Sequence, residues 1–375
     1  HVLTDYNRDC RSTRRAELVS AFDFLVDEAI RQAADIMLIA GDLISARSVS
    51  DSTASAVREG FRRLAAASIF AAVVPGEAEE VHSLAMLRQV CSEPNVHLFS
   101  GEEWSRVSPM AGVSVWGLRT TSRNSTTNAL ANLVIEGSGI HIGLMHGTFE
   151  ATPGLDSFIS PVTPTELSQS GLDYLALGHY HNMVNNSVGR ATCWYSGSPV
   201  HLGFDTRGER HALIVTVRGD GVRVYPIKVP GRPQRVVNIE VTTTRAREQL
   251  YTRLARLASS ELCLRAEVEG ETEPGDVGLV SLAEQDFRSK FFHLTVADHT
   301  RVSCPPWRSS DLRSMDLDEA FFRKAARLTA EPGAARKPPE VVVRALKLGL
   351  GALGEVDTLV HRETRAKGQG QAAGD

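Results

Sequence analysis

Cysteine is scarce: five in 375 residues (Cys10, Cys91, Cys193, Cys263 and Cys304), with no Cys-x-x-Cys pair. That excludes a thiolate zinc clip and a disulfide framework, and the thiols read as buried or neutral in a reducing compartment. Long apolar runs are missing as well; none approaches the roughly 20 residues of a membrane span, so no membrane contact is expected. Nor is there a basic surplus. The formal net charge is −4, so any nucleic-acid contact must come from local patches rather than a global field. An initiating Met is absent too, since the chain opens at His1. The expectation is a trimmed chain or a fragment, which leaves a signal peptide open, with a cytoplasmic location expected. What is there is ordinary for a soluble domain: 42% hydrophobic and 23% charged residues, over a length that fits one large domain with additions or two domains.

The first half alternates helix and strand signals. Leu18, Phe22, Leu25, Val26, Ala29 and Ala33 recur at helical spacing, and Asp35 to Ala40 follows as a short apolar run of the kind that forms a buried strand. A second helix is predicted over Thr53 to Ala66, then a strand from Ile69 to Val74 that stops at Pro75-Gly76. Further strands are predicted at Val96 to Phe99, Val113 to Leu118, Ile140 to Met145 and Tyr174 to Leu177. This order argues for a layered α/β sheet. Beyond His181 strands dominate. Ala212 to Val217 and Val222 to Ile227 flank an Asp220-Gly221 step, a hairpin signal. Val229 to Pro233 reads as a boundary, and a small α+β unit follows with a strand at Val236 to Val241, a helical Leu250/Leu254/Leu257 stripe and an alternating face at Leu262 to Val268. Helices near Leu317 to Leu328 and Val341 to Leu350 precede a polar, Gly-rich tail from Lys367 that is expected to be disordered. The domains expected are 1–230, 234–330 and a C-terminal extension over 331–375.

Polar side chains stand where predicted strands end. Asp42 closes Leu-Ile-Ala-Gly-Asp, His146 closes Gly-Leu-Met-His-Gly, and His179 and His181 follow in Gly178-His179-Tyr180-His181. Ligands in open α/β sheets collect at the carboxyl ends of strands, so these groups can meet although distant in sequence. Gly41, Gly147 and Gly178 would let backbone pass close to an ion. One carboxylate with several imidazoles suits Mn, Fe or Zn and suits Mg or Ca poorly. Asp42 is the natural bridge between two ions about 3.5–4 Å apart. Each group alone has a plainer reading, Asp42 as a turn or cap residue and His146 as a satisfied buried histidine; only the ordered set stands out. His97, His141, His201 and His211 lack such company and read as structural or surface residues.

At these residues the chain resembles the calcineurin-like metallophosphoesterases, most of all their DNA-repair exonuclease branch, the SbcD nuclease subunits and the YhaO-type proteins. The family order is Asp-x-His, Gly-Asp, Gly-Asn-His-Asp or Glu, a lone His, then Gly-His-x-His. Gly41-Asp42 matches the second motif, His146 the fourth and Gly178 to His181 the fifth. Tyr195-Ser196-Gly197-Ser198-Pro199 resembles the Pro-Gly-Ser segment of SbcD-like chains, and Asn95 to Ser100 a strand of the YhaO-type proteins. The resemblance runs from His1 to Val217 and implies a four-layer α/β/β/α metallophosphoesterase sandwich. After Pro233 the chain resembles the family's small α+β capping domain in element order alone.

Two departures stand out. The Asp-x-His motif is incomplete: either His1 is its histidine, or Asp5-Tyr6-Asn7 is a degraded copy. Gly76-Glu77-Ala78-Glu79 stands where the family has Gly-Asn-His-Asp. Glu77 can replace the asparagine as an oxygen donor, but its charge opposes a phosphodiester by about 3 kcal/mol at about 5 Å and an effective dielectric of about 20. Ala78 replaces the histidine that the resemblance makes the leaving-group acid, and losing a general acid costs about 10²–10⁴ in rate. The resemblance implies one ion on His1, Asp42, His181 and an upstream aspartate, and a second on Asp42, Glu77, His146 and His179, with Mn expected. Hydroxide between them would attack phosphorus.

Three functions follow as expectations. The first is a metal-dependent DNA exonuclease subunit that acts on DNA with an SbcC-like ATPase, docked through the segments after Leu317, with a homodimer a further option. The second is a catalytically weakened scaffold of the same fold, and the third is a small-molecule phosphoesterase. Arg11, Arg14, Arg15, Arg207 and Arg210 read either as phosphate contacts or as a solvated charged face.

Overall fold

The computed structural model describes residues 10–44, 50–79, 84–121, 126, 128–152, 159–206 and 208–303. His1, the Asp5-Tyr6-Asn7 alternative, Arg207, Cys304 and the helices expected after Leu317 lie outside the described residues. The chain divides into two compact units, His1–Gln234 and Arg235–Asp375.

In the first unit, α1 (Arg11–Arg31), β1 (Ile36–Ala40), α2 (Asp51–Ala66), β2 (Phe70–Val74), α3 (Leu84–Val90) and β3 (Val96–Leu98) form an alternating series. Then come β4 (Ser105–Met110), β5 (Val113–Leu118), β6 (Ile140–His146), α4 (Pro164–Gln169), β7 (Tyr174–Gly178), β8 (Val184–Asn185) and β9 (Thr192–Tyr195). The expected hairpin forms from β10 (His211–Arg218) and β11 (Gly221–Lys228), but it turns through Gly219-Asp220, one residue before the Asp-Gly step, with Gly221 already paired to Arg218. β1, β2 and β3 make a parallel three-stranded sheet in that order. The second sheet runs β4-β5-β6-β7-β9-β8, parallel from β5 through β9 and antiparallel at both edges.

Strand alternation sorts the apolar side chains into layers. On β2, Ala71 and Val73 pack with Phe22, Val26, Phe61, Leu64 and Leu87 of the three helices. Ala72 and Val74 face the other way, against Val115, Ile142, Leu144 and Ala176 of the second sheet. That sheet's far face, with Met145, Leu175, Leu177 and Tyr195, is covered by Leu167 of α4 and by loop residues Leu130, Phe149 and Val162. The result is the four-layer α/β/β/α sandwich. Phe61 and Leu64 are wholly buried, and each such side chain contributes about 1.5–3 kcal/mol by leaving water. α2 begins where Ser50 accepts the Thr53 N–H, and α4 where Thr163 and Glu166 form a capping box.

The second unit contains β12 (Gln234–Val241), α5 (Ala246–Leu257), β13 (Ser259–Thr272), α6 (Leu279–Phe287) and β14 (Phe291–Val302). Its sheet runs β12-β13-β14, and Leu264, Ala266, Val268, Leu294 and Val296 pack beneath Leu250, Leu254 and Ala283. Among the described residues no helix is long and apolar enough to cross a membrane. Cys91, Cys193 and Cys263 are buried, and burial pushes the Cys91 thiol up to about 12.

Candidate metal centre

Four of the expected ligands gather where strands of both sheets end. Asp42 follows β1, Glu77 follows β2, His146 is the last residue of β6, and His179 follows β7. The ligand atoms of Glu77, His146 and His179 all lie within 4.8 Å of one another. His146 Nε2 stands 4.0 Å from Asp42 Oδ2, and His179 Nδ1 stands 3.7 Å from Glu77 Oε1. Two bonds of about 2.1 Å from one cation span at most about 4.2 Å between donor atoms, so both separations suit shared coordination.

The tautomer of His146 is set by the fold. Its Nδ1 lies 2.9 Å from the Ala40 carbonyl, which has no proton to give, so Nδ1–H donates and the lone pair falls on Nε2. That Nε2 is buried without a hydrogen-bond partner. An orphaned buried acceptor between carboxylates is costly in a dry site and is suited to a cation. His179 is held neutral: burial, and then the neighbouring His146, bring its pKa down to about 4, against the pull of Asp42. A neutral imidazole is the form that binds metal. The described residues therefore fit a divalent cation by donor type, spacing and protonation.

Close packing of loops brings the donors together. A Cβ on Gly178 would stand 1.7 Å from the Ala40 carbonyl oxygen, and one on Gly76 2.3 Å from Asp42 Oδ1. These glycines are needed where backbone meets backbone and where backbone meets ligand. Gly147 differs from the expectation: its neighbours are Met145 and the Ile159–Ser160 backbone, so it serves loop packing away from the donors. Asp42 (φ +56) and His179 (φ +98) hold backbone conformations rare for residues with side chains.

His181 stands apart from the three-donor group. It lines the same pocket of about 280 Å³ as Asp42, His146 and His179, but its Nδ1 pairs with Asp205 Oδ2 at 3.2 Å. A carboxylate on one ring nitrogen fixes the tautomer and leaves Nε2 as the lone-pair donor. Asp205 was not foreseen, being one acidic residue in a Gly-rich loop without a motif. Glu79, which closes the Gly76-Glu77-Ala78-Glu79 segment, supports the site from beneath. Wholly buried, it accepts the backbone N–H groups of Asp42 (3.0 Å), Ile44 (2.8 Å) and Gly76 (2.9 Å), which ties the β1 and β2 turns together.

The arginines require a correction. Arg14 is 2% exposed and donates to the His201 carbonyl and to Glu17. Arg210 is 5% exposed and donates to the carbonyls of His181 and Ser198 and to the Asn182 side chain. Neither is a phosphate contact nor part of a solvated face. They are internal pins, and Arg210 holds the turn that carries His181. Arg15 is exposed and borders the pocket. His141 and His201 are structural as expected: Trp116 Nε1–H donates to His141, and His201 bonds Thr206.

No family model matches the chain. It is 28% identical over 202 residues to the uncharacterized metallophosphoesterase YhaO of Bacillus subtilis (strain 168), a stretch that covers 52% of this chain and 49% of that protein. The chain thus spans about half the length of this curated relative. Among solved structures, TT1561 of Thermus thermophilus is 13% identical with a TM-score of 0.36, covering 55% of this chain and 92% of that one. Wild-type Vps29 complexed with Zn²⁺ from Entamoeba histolytica is 13% identical with a TM-score of 0.26, covering 52% and 99%.

Proposed function

We propose that this chain, a metallophosphoesterase-like protein by sequence similarity and fold, is a metal-dependent phosphodiester hydrolase, and more narrowly an SbcD-like DNA exonuclease subunit that works with an SbcC-like ATPase. The observation that carries the hydrolase reading is His146 Nε2, bare and buried among Asp42, Glu77 and His179. The narrower reading is supported by the motif resemblance.

Bound divalent cations, two of them with Mn preferred, would supply Lewis acidity toward phosphoryl oxygens and an acidified water. The chain's own part is positional. Asp42, Glu77, His146 and His179 are the donors, with His181 and His1 for a second ion. Ala40 and Asp205 orient the His146 and His181 rings, while Glu79 and Arg210 hold the turns. Where the resemblance has a leaving-group acid this chain has Ala78, so protonation of the departing oxygen would fall to solvent.

A second reading has a specific basis. Glu77 and Ala78 together add a charge and remove an acid, which favours a metal-holding scaffold with little catalysis. Purified chain with Mn²⁺, labelled duplex DNA and a chromogenic diester separates the readings when Asp42→Ala is run in parallel. Cleavage of both substrates, lost in the variant, supports the exonuclease. Cleavage of the small diester alone points to a small-molecule phosphoesterase, and Mn²⁺ binding without turnover to the scaffold.

A further inference from the structure

The backbone beyond β6 leaves its strand before it leaves the interior. His146 is the last residue of β6, yet Thr148 and Phe149 are still buried. Peptide groups there must find partners inside the protein. Backbone neighbours serve some of them: Gly147 N–H bonds the Gly178 carbonyl at 3.3 Å, and Thr148 N–H bonds that of Ile159 at 2.7 Å. Three others meet side-chain hydroxyls. Thr120 Oγ1–H donates to the His146 carbonyl. The Tyr195 hydroxyl donates to the Gly147 carbonyl at 2.8 Å and accepts the Phe149 N–H at 2.7 Å. A phenol can do both, having one proton to give and lone pairs to share.

Tyr195 reaches the next ligand turn as well. It pairs with Leu177 across β9 and β7, one residue before Gly178. Its ring meets that of Tyr180 edge to face, with centroids 5.7 Å apart, and Tyr180 stands between His179 and His181. One wholly buried side chain on the far face of the second sheet thus touches the turns that follow β6 and β7. A metal–nitrogen bond is about 2 Å long, and a site of this kind works only with its ligands held to within about 0.5 Å.

We propose that Tyr195 and Thr120 are positioning residues of the metal centre, whose hydroxyls fix the backbone at His146–Phe149 and so keep the His146 ring aimed at a cation. This role rests on Asp42, Glu77, His146 and His179 being cation donors.

The test uses the full chain and two readouts: Mn²⁺ affinity by calorimetric titration, and hydrogen exchange at the Phe149 amide without metal. Tyr195→Phe keeps the ring and removes the hydroxyl. Thr120→Val removes the other hydroxyl at nearly equal size, and Thr120→Ser keeps it. Tyr174→Phe, the same change at the opposite end of β7, is the control. Tyr195→Phe is expected to weaken Mn²⁺ binding about tenfold and to speed exchange at Phe149. Thr120→Val should weaken binding by a similar factor, while Thr120→Ser and Tyr174→Phe stay near the parent affinity. Faster exchange at unchanged affinity would make the hydroxyls purely structural, overturning their positioning role while the donor set stands. Unchanged exchange in Tyr195→Phe overturns it too, as does equal weakening by Tyr174→Phe or by Thr120→Ser. A parent chain that binds no Mn²⁺ removes the donor set itself, and the positioning role falls with it.

Discussion

The buried carboxylate of Glu79 accepts the backbone N–H of Asp42 at 3.0 Å, so the last residue of the Gly-Glu-Ala-Glu segment fixes the turn that carries the central carboxylate. Two further N–H groups, of Ile44 and Gly76, converge on it. Burial, with Asp42 close by, raises the Glu79 pKa against those three bonds. Glu79→Gln keeps the shape but offers one acceptor oxygen in place of two. Chemical denaturation is expected to show a loss of about 2–4 kcal/mol, and Mn²⁺ affinity should fall with it.

His146→Gln removes the bare nitrogen while filling most of the space. Calorimetric titration with Mn²⁺ should show an affinity at least about tenfold weaker, at nearly unchanged melting temperature. Unchanged affinity would remove His146 from the ligand set.

Glu77→Asn with Ala78→His rebuilds the family segment. The pair removes a charge that opposes the substrate and adds a proton donor. Turnover of a chromogenic diester with Mn²⁺ should rise by about 10²–10⁴, and Ala78→His alone should supply most of the gain in kcat.

Arg210→Met leaves the carbonyls of His181 and Ser198 without their buried donor. A stability loss of about 2–4 kcal/mol is expected by urea unfolding. Arg210→Lys keeps the charge but lacks the planar fork that reaches three acceptors at once, so it should recover only part of that loss.

His201 gives a pH dependence of known sign. Burial, followed by Arg210 and Arg14, brings its pKa from 6.5 down to about 4. The unfolded chain therefore binds the proton more tightly, and this group's stabilisation is complete above pH 6.5 and is lost as pH falls toward 4. In His201→Gln the unfolding free energy should change less steeply across that window than in the parent chain.

The parts of the fold written in apolar runs were legible. β1, β2, β5, β6 and β7 are short, mainly apolar stretches, and the structure places each within a residue of its predicted bounds. β4 was not, because Ser-Arg-Val-Ser-Pro-Met is an exposed edge whose pairing comes from its neighbour rather than from its own composition. α6 starts at Gly278 in a left-handed conformation without a side-chain cap, so no start signal precedes it. α4 did carry one, Thr163-Pro164-x-Glu166, but spans too few residues to show a period.

At the site, the donors themselves were legible because each terminates a strand. Their supports were not. Glu79, Asp205 and Arg210 act through backbone groups or through another ring, and neither kind of contact leaves a spacing to read in one dimension. The arginines illustrate the difficulty, since a cation that pins carbonyls inside the protein and one that meets phosphate outside are the same letter.

Asp42 and His179 share a backbone geometry that glycine would adopt at no cost. A chain shaped by thermal robustness alone would place glycine at both positions and keep the same turns. Their occupation by a carboxylate and an imidazole therefore marks the spot where this protein trades durability for chemical capacity. Screens that reward heat resistance would tend to erase the centre first.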